Sequence, residues 1–149
     1  MRSPLCLMAL MPLLGATLAF GADSPVGKWS TVDDKSGKVI SQVQIYDEGG
    51  KLFGKITGLT EPNNKEGKPK TCTHCSGPDK DKPIVGLVII RDLNPSGSSY
   101  KGGTILDPDD GKVYKAEIWV EGGKLKVRGY VGFVYKTQTW PRATERRHG

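Results

Sequence analysis

Beyond residue 22 the chain shows no sustained helical period, and this absence constrains its fold more than any other feature. Short segments rich in Val, Ile, Tyr, Thr and Trp alternate with clusters of Gly, Asp, Asn and Pro, the pattern of strands and turns. Eight strands are expected: Gly27–Val32, Lys38–Tyr46, Lys51–Leu59, Ile84–Leu93, Ser99–Leu106, Lys112–Val120, Lys124–Val131 and Phe133–Trp140. Alternation within them is half polar. Val39, Ser41, Val43 and Ile45 oppose Ile40, Gln42, Gln44 and Tyr46; Tyr114, Ala116, Ile118 and Val120 oppose Lys115, Glu117 and Trp119; Leu125, Val127 and Gly129 oppose Lys124, Lys126 and Arg128. Such strands bury one face and wet the other. An open sheet would need helices to cover its apolar side. Closing eight strands on themselves removes that need and the free edges together, so the fold class expected is an all-β, eight-stranded antiparallel up-and-down barrel. Strand glycines at 54, 58, 86, 102, 103 and 129 suit the tight bends of closure.

The turns carry their own chemistry. The string Glu-Gly-Gly-Lys-Leu occurs at 48–52 and again at 121–125. Five residues are too few to mark a duplication; two uses of a Gly-Gly hairpin, where positive φ is required, explain it. Asp107-Pro-Asp-Asp-Gly111 is a tight turn and not a calcium loop, since Gly111 falls where an oxygen ligand is needed and no helices flank it.

The 149 residues allow one domain. Arg2 precedes an uncharged, mainly apolar run, Leu5–Phe20, followed by small residues at 21 and 22. This is the layout of a secretory signal peptide, with cleavage expected after Gly21. The run is too short for a bilayer span and holds Pro12, so no membrane span is expected. The division is thus a signal peptide at 1–21 and a single domain at 22–149, with a basic tail at 143–149, and the location is periplasmic or secreted. Nucleic acid is an unsuitable partner for an exported chain whose 22 Lys+Arg against 16 Asp+Glu are spread along its length. A monomer is expected, with protein partners unassigned.

Removing the leader removes Cys6 and leaves Cys72 and Cys75, in a long polar loop at 61–83. Glu61–Lys82 contains no Ala, Val, Ile, Leu, Met or aromatic side chain. Oxidised export conditions pair the two cysteines with each other, and a local disulfide that stiffens the loop is the leading reading. A thiol–disulfide exchange pair is the alternative; it would want an activating helix N-terminus, which the Pro/Gly/Lys surroundings do not predict. A metal would find two ligands here, with His74 as a third and no second Cys pair, so neither metal nor cofactor is assigned. His74 and His148 are poorly placed as a catalytic base, and no catalytic residue is assigned. Asp33-Asp34, neighbours at a strand end, read as a turn cap.

Tyr100, Tyr114, Tyr135 and Phe133 are candidates to line a cavity, with Tyr114 and Tyr135 expected to point inward. Arg128 is a candidate for an anionic group, against a solvated cationic stripe near Glu117 or Glu121. The leading expectation is a non-catalytic exported barrel that holds a small amphipathic or hydrophobic ligand or an envelope component. A redox protein using the Cys pair and a structural or interaction module of the cell envelope are the alternatives.

Trp29 on the first strand and Arg142 just past the last resemble the calycin arrangement, in which a guanidinium lies across an indole and plugs one barrel end. The mature chain also resembles the bacterial domain-of-unknown-function family 2147. The resemblance lies in Gly27-Lys-Trp29-Ser-Thr-Val-Asp33-Asp34, Cys72-Thr-His-Cys75, Gly102-Gly103-Thr-Ile-Leu-Asp107-Pro108, Gly111-Lys-Val-Tyr114, Leu125-Lys-Val-Arg128-Gly129-Tyr130 and Gln138-Thr-Trp140-Pro-Arg142. It implies an exported, calycin-like barrel and no particular activity.

Overall fold

The computed structural model describes residues 24–144. The expected signal peptide at 1–21 and most of the basic tail lie outside the described residues. Eight antiparallel strands follow one another in a single meander: β1 (Gly27–Val32), β2 (Val39–Glu48), β3 (Lys51–Leu59), β4 (Val88–Ser96), β5 (Ser99–Leu106), β6 (Val113–Glu121), β7 (Lys124–Val131) and β8 (Val134–Trp140). The sheet is a nearly closed barrel. Its seam is sewn just beyond β8, where Ser30 N–H donates to the Pro141 carbonyl (2.8 Å) and Ala143 N–H to that of Lys28 (3.1 Å). Among the described residues β1 and β8 share no continuous ladder, only the bridge between Trp29 and Arg142. Pro141 has no N–H to give, so the pairing stops there.

A meander sends its connections alternately to the two ends. Both Glu-Gly-Gly-Lys-Leu hairpins, β2–β3 and β6–β7, fall at one end together with the β4–β5 turn and the chain entering β1. The first turn, the long loop, Asp107–Lys112 and Gly132-Phe133 form the other end. The core fills the first end: Trp29, Val43, Ile45, Leu52, Ile90, Leu93, Ile118 and Leu125 are completely or almost completely buried. Gly54 is there because a Cβ would meet Ile45 Cδ1 at 2.9 Å and Ile90 Cβ at 3.0 Å.

Four strands differ in their bounds from the sequence reading: β2 and β6 by one or two residues at each end, β4 at both ends and β8 at its start. β4 starts at Val88 and not at Ile84, because Gly86 turns to a φ of 98°. The segment still touches β3: Gly86 N–H donates to the Ile56 carbonyl (2.7 Å), and Ile56 N–H to that of Leu87 (3.0 Å). β8 starts at Val134, leaving Phe133 on the turn.

Candidate functional site

At the core-filled end the arginine plug is assembled from both chain ends. The Arg142 guanidinium carbon lies 3.9 Å from the centre of the Trp29 ring. Its Nη1 and Nη2 donate to the Val26 and Ser24 carbonyls at 3.2 and 2.9 Å, and Trp29 Nε1 donates to the Pro25 carbonyl at 2.8 Å. A planar cation on an aromatic face, with its edge capping carbonyls, closes this end. Gly27 makes room, since a Cβ there would stand 2.6 Å from Arg142 Nη1.

The opposite half of the barrel is not filled. It encloses a cavity of about 570 Å³, lined by Ile56, Leu59, Ile84, Ile89, Ile105 and Val127 among others. Ser41, Tyr114 and Gln138 bring polar groups to its wall, and Lys70, Asp107, Asp109 and Lys136 stand among its lining residues. Such a volume lies within the range of small-molecule sites, as does a mainly apolar wall with few polar groups. The polar wall is internally satisfied. Thr31 Oγ1 and Ser41 Oγ are hydrogen-bonded at 2.5 Å, and Gln138 Oε1 accepts from Trp140 Nε1 at 3.1 Å. The Tyr114 hydroxyl donates to Asp110 Oδ2 at 2.7 Å, a bond that, with the nearby carboxylates, pushes its pKa up to about 12. At the rim Lys136 pairs with Asp34 (2.5 Å), which holds the lysine charged, while desolvation raises the Asp107 carboxyl above its ordinary range.

The long loop folds over this end. Cys72 and Cys75 are joined, and both are buried, at 0% and 4% exposure. Cys72 Sγ lies 3.8 Å from the Pro108 carbonyl oxygen, and a Cβ on Gly111 (φ 72°) would collide with the His74 carbonyl. The disulfide is therefore the apolar anchor by which an otherwise polar loop docks on the β5–β6 turn, beyond the local stiffening expected of it. Within the loop, Cys72 N–H donates to the Lys82 carbonyl (2.7 Å) and Ile84 N–H to that of Lys70 (3.0 Å). Lys70 and Ile84 are thereby held against the cavity.

The aromatic candidates separate. Tyr114 faces the cavity. Tyr100 is half-buried against the core, paired with Pro95 and Ile118, on strand positions toward the filled end. Tyr135 does not point inward as expected. Its ring is on the outer face, 5.8 Å from that of Tyr130 and 4.1 Å from the Arg128 guanidinium, and it meets the cavity at the rim. The inward position of Trp140 sets the parity of β8, so Val134, Lys136 and Gln138 turn in while Tyr135, Thr137 and Thr139 turn out. Phe133 lines nothing; it is wholly exposed on its turn. Arg128 is also outward, 4.8 Å from the Trp119 ring centre, with Nε donating to Thr137 Oγ1 at 2.9 Å. Asp33 caps the β1–β2 turn, its Oδ1 accepting from Lys35 and Ser36 N–H at 3.0 and 2.7 Å. Among the described residues no three His, Cys, Asp or Glu side chains converge as metal ligands, and no helix is long and apolar enough to cross a membrane.

Lys70, Lys136 and Gln138 are cavity residues that the sequence reading missed. Counting back from Trp140 by twos would have found Lys136 and Gln138; Lys70 depends on how the loop folds.

A meander barrel with an arginine-on-tryptophan plug at one end and a partly apolar cavity at the other is a lipocalin-like fold. The solved structure reported as "Protein HP1028 from the human pathogen Helicobacter pylori belongs to the lipocalin family" shares this fold, with a TM-score of 0.68 and 24% sequence identity over 82% of this chain and 84% of that one. No curated protein matches the sequence. Residues 27–142 match the family model described as an uncharacterized protein conserved in bacteria, DUF2147, and the chain belongs to that family.

Proposed function

We propose that this protein is an exported, non-catalytic carrier or sensor that holds one small hydrophobic or amphipathic molecule in its barrel. The observation carrying the proposal is the cavity of about 570 Å³: isoleucine, leucine and valine form its depth, while ionisable groups stand at its rim. An apolar body would sit among Ile56, Ile89, Ile105 and Val127, and a polar end would meet Lys70, Lys136 or Tyr114 at the mouth. Burial of the disulfide supports a structural role for Cys72 and Cys75 over thiol exchange, because attack on a disulfide needs access to a sulfur.

Gly129 offers a clean test. It lines the cavity without a positive φ, and a Cβ there would meet Tyr114 Cβ and Ile105 Cγ2 at 3.6 and 3.8 Å, ordinary contact distances. Gly129→Leu therefore fills cavity space. Binding of a fluorescent fatty-acid probe to the parent chain is expected, with at least a roughly tenfold loss in Gly129→Leu at preserved β circular dichroism. Native mass spectrometry of protein from its exporting host should show a bound small molecule. A parent chain that binds no apolar probe and arrives with an empty barrel overturns the proposal.

A further inference from the structure

The exposed apolar side chains are unevenly distributed. Of nine large hydrophobic residues exposed among those described, five gather at one corner of the open end: Val113, Val131, Phe133, Val134 and Tyr135. Phe133 is completely exposed, and Val131, Val134 and Val113 are 62%, 73% and 62% exposed. The register makes them neighbours. Val131 pairs with Val134 across the β7–β8 hairpin, Tyr130 pairs with Tyr135 behind them, and Lys115 pairs with Tyr130 on the third strand. Turn geometry does not call for this composition. Gly132, with a φ of 57°, supplies the left-handed residue, and a polar side chain at 133 would complete the hairpin equally well.

Reading back from the tip, side-chain chemistry changes in order. Phe133, Val131 and Val134 come first. Two to three residues behind stand Tyr130 and Tyr135 with Lys115 beside them, and behind these the Arg128 guanidinium lies between Tyr135 and Trp119. At about 3.3 Å per residue the Tyr130–Tyr135 pair, with Lys115 beside it, stands about 7 Å behind the Gly132-Phe133 turn, while Lys112 flanks the turn itself. Hydrocarbon, then amphipathic rings, then cations is the order a bilayer surface presents from its acyl boundary outward. A protein partner would not require it. Lys112 and Lys115 flank a shallow outer groove lined also by Val113, Tyr130 and Val131, and Lys136 stands on the inner side of the hairpin. Asp34 is occupied by Lys136, and Glu117 by hydrogen bonds from Tyr130 (2.8 Å) and Ser99 (3.0 Å). Asp109 and Asp110 on the neighbouring turn offset part of the positive charge, so both apolar insertion and attraction are needed.

We propose that the β7–β8 tip is a membrane-docking element: Phe133, Val131 and Val134 insert into the surface of an anionic lipid bilayer while Lys112, Lys115 and Arg128 meet its headgroups. Val131 and Val134 also line the cavity, so the docked tip sets the barrel mouth against the lipid surface. Binding to the bilayer does not require that the cavity hold a ligand, and the two properties are separately measurable.

The test uses the full chain and vesicles of phosphatidylglycerol with phosphatidylethanolamine, or of phosphatidylcholine alone. Phe133→Trp, measured as the difference from the parent chain, reports the tip and not the N-terminal apolar run. Its emission should shift to the blue and be quenched by brominated acyl chains in the anionic vesicles, more weakly in the neutral ones, and less at high salt. Phe133→Asp should lower co-sedimentation by on the order of tenfold or more, while Val26→Asp at the opposite end should not. Both sites are exposed, and unchanged circular dichroism checks the fold. Failure of the introduced indole's emission to respond to anionic vesicles overturns the proposal. So does sedimentation equilibrium showing that Phe133→Asp abolishes a self-associated state in a chain that ignores vesicles: the tip would then be an interface between copies.

Discussion

The two ends of this barrel are built from the same eight strands and solve opposite problems. At the plugged end, connections are two-residue hairpins, side chains meet in a close-packed core, and Arg142 lies over Trp29 with its edge on two carbonyls. At the other end a long polar loop, anchored by a buried disulfide, roofs a cavity and leaves an apolar corner exposed. The difference shows where stability and recognition are separated. Packing that fixes the fold leaves no room for a ligand, and a half that keeps room must be held by something other than a full core.

The largest way to break this contrast is at the plug. Trp29 is completely buried, and Trp29→Ala should remove about 3–5 kcal/mol of unfolding free energy, read by urea denaturation. A loss below about 1 kcal/mol would mean that this end does not carry the fold. A smaller and local effect is expected at the roof. Gly111→Val imposes a left-handed conformation on a branched residue, at about 1–2 kcal/mol for the backbone alone, and drives a side chain into the His74 carbonyl. Hydrogen exchange should speed up over residues 61–83 while β2, β6 and β7 keep their protection. Uniform acceleration through the barrel would show that the roof and the core are one cooperative unit.

The smallest effect sharpens the comparison through pH. Desolvation raises the Asp107 carboxyl, opposed by the hydrogen bond from Asp109 N–H. The folded state thus binds the proton more tightly than the unfolded one. The carboxyl's favourable contribution is complete below the ordinary value of 3.8 and is lost as pH rises through the raised folded pKa. Asp107→Asn, which keeps the acceptor oxygen, should therefore give a small rise in Tm at pH 7 that shrinks toward zero below pH 3.8. A Tm difference independent of pH would remove the desolvation account.

Strand number, order and most boundaries were legible because each relies on local rules. Period-2 alternation sets the faces of β2, β6 and β7, and Gly-Gly or Asp-Pro-Asp-Asp-Gly strings punctuate them. The family motifs likewise pointed to the barrel. Where alternation is weak the sequence misleads: β8 mixes Val, Tyr, Lys, Thr and Gln on both faces, so its pattern does not show that the buried Trp140 turns Tyr135 outward. The candidate site was legible only in part. Tyr114 followed from parity, whereas Lys70 reaches the cavity through a loop whose path no periodicity describes.

By itself the sequence determined an eight-stranded meander, its hairpins and the pairing available to Cys72 and Cys75, because these depend on neighbours along the chain or on the inventory of residues. Tertiary structure alone decided that the barrel fills at one end and stays hollow at the other, that the disulfide docks the loop, and that Val131, Phe133 and Val134 meet at the rim. Those outcomes depend on how side chains from distant strands divide a closed volume, a property of the whole barrel that no local pattern encodes.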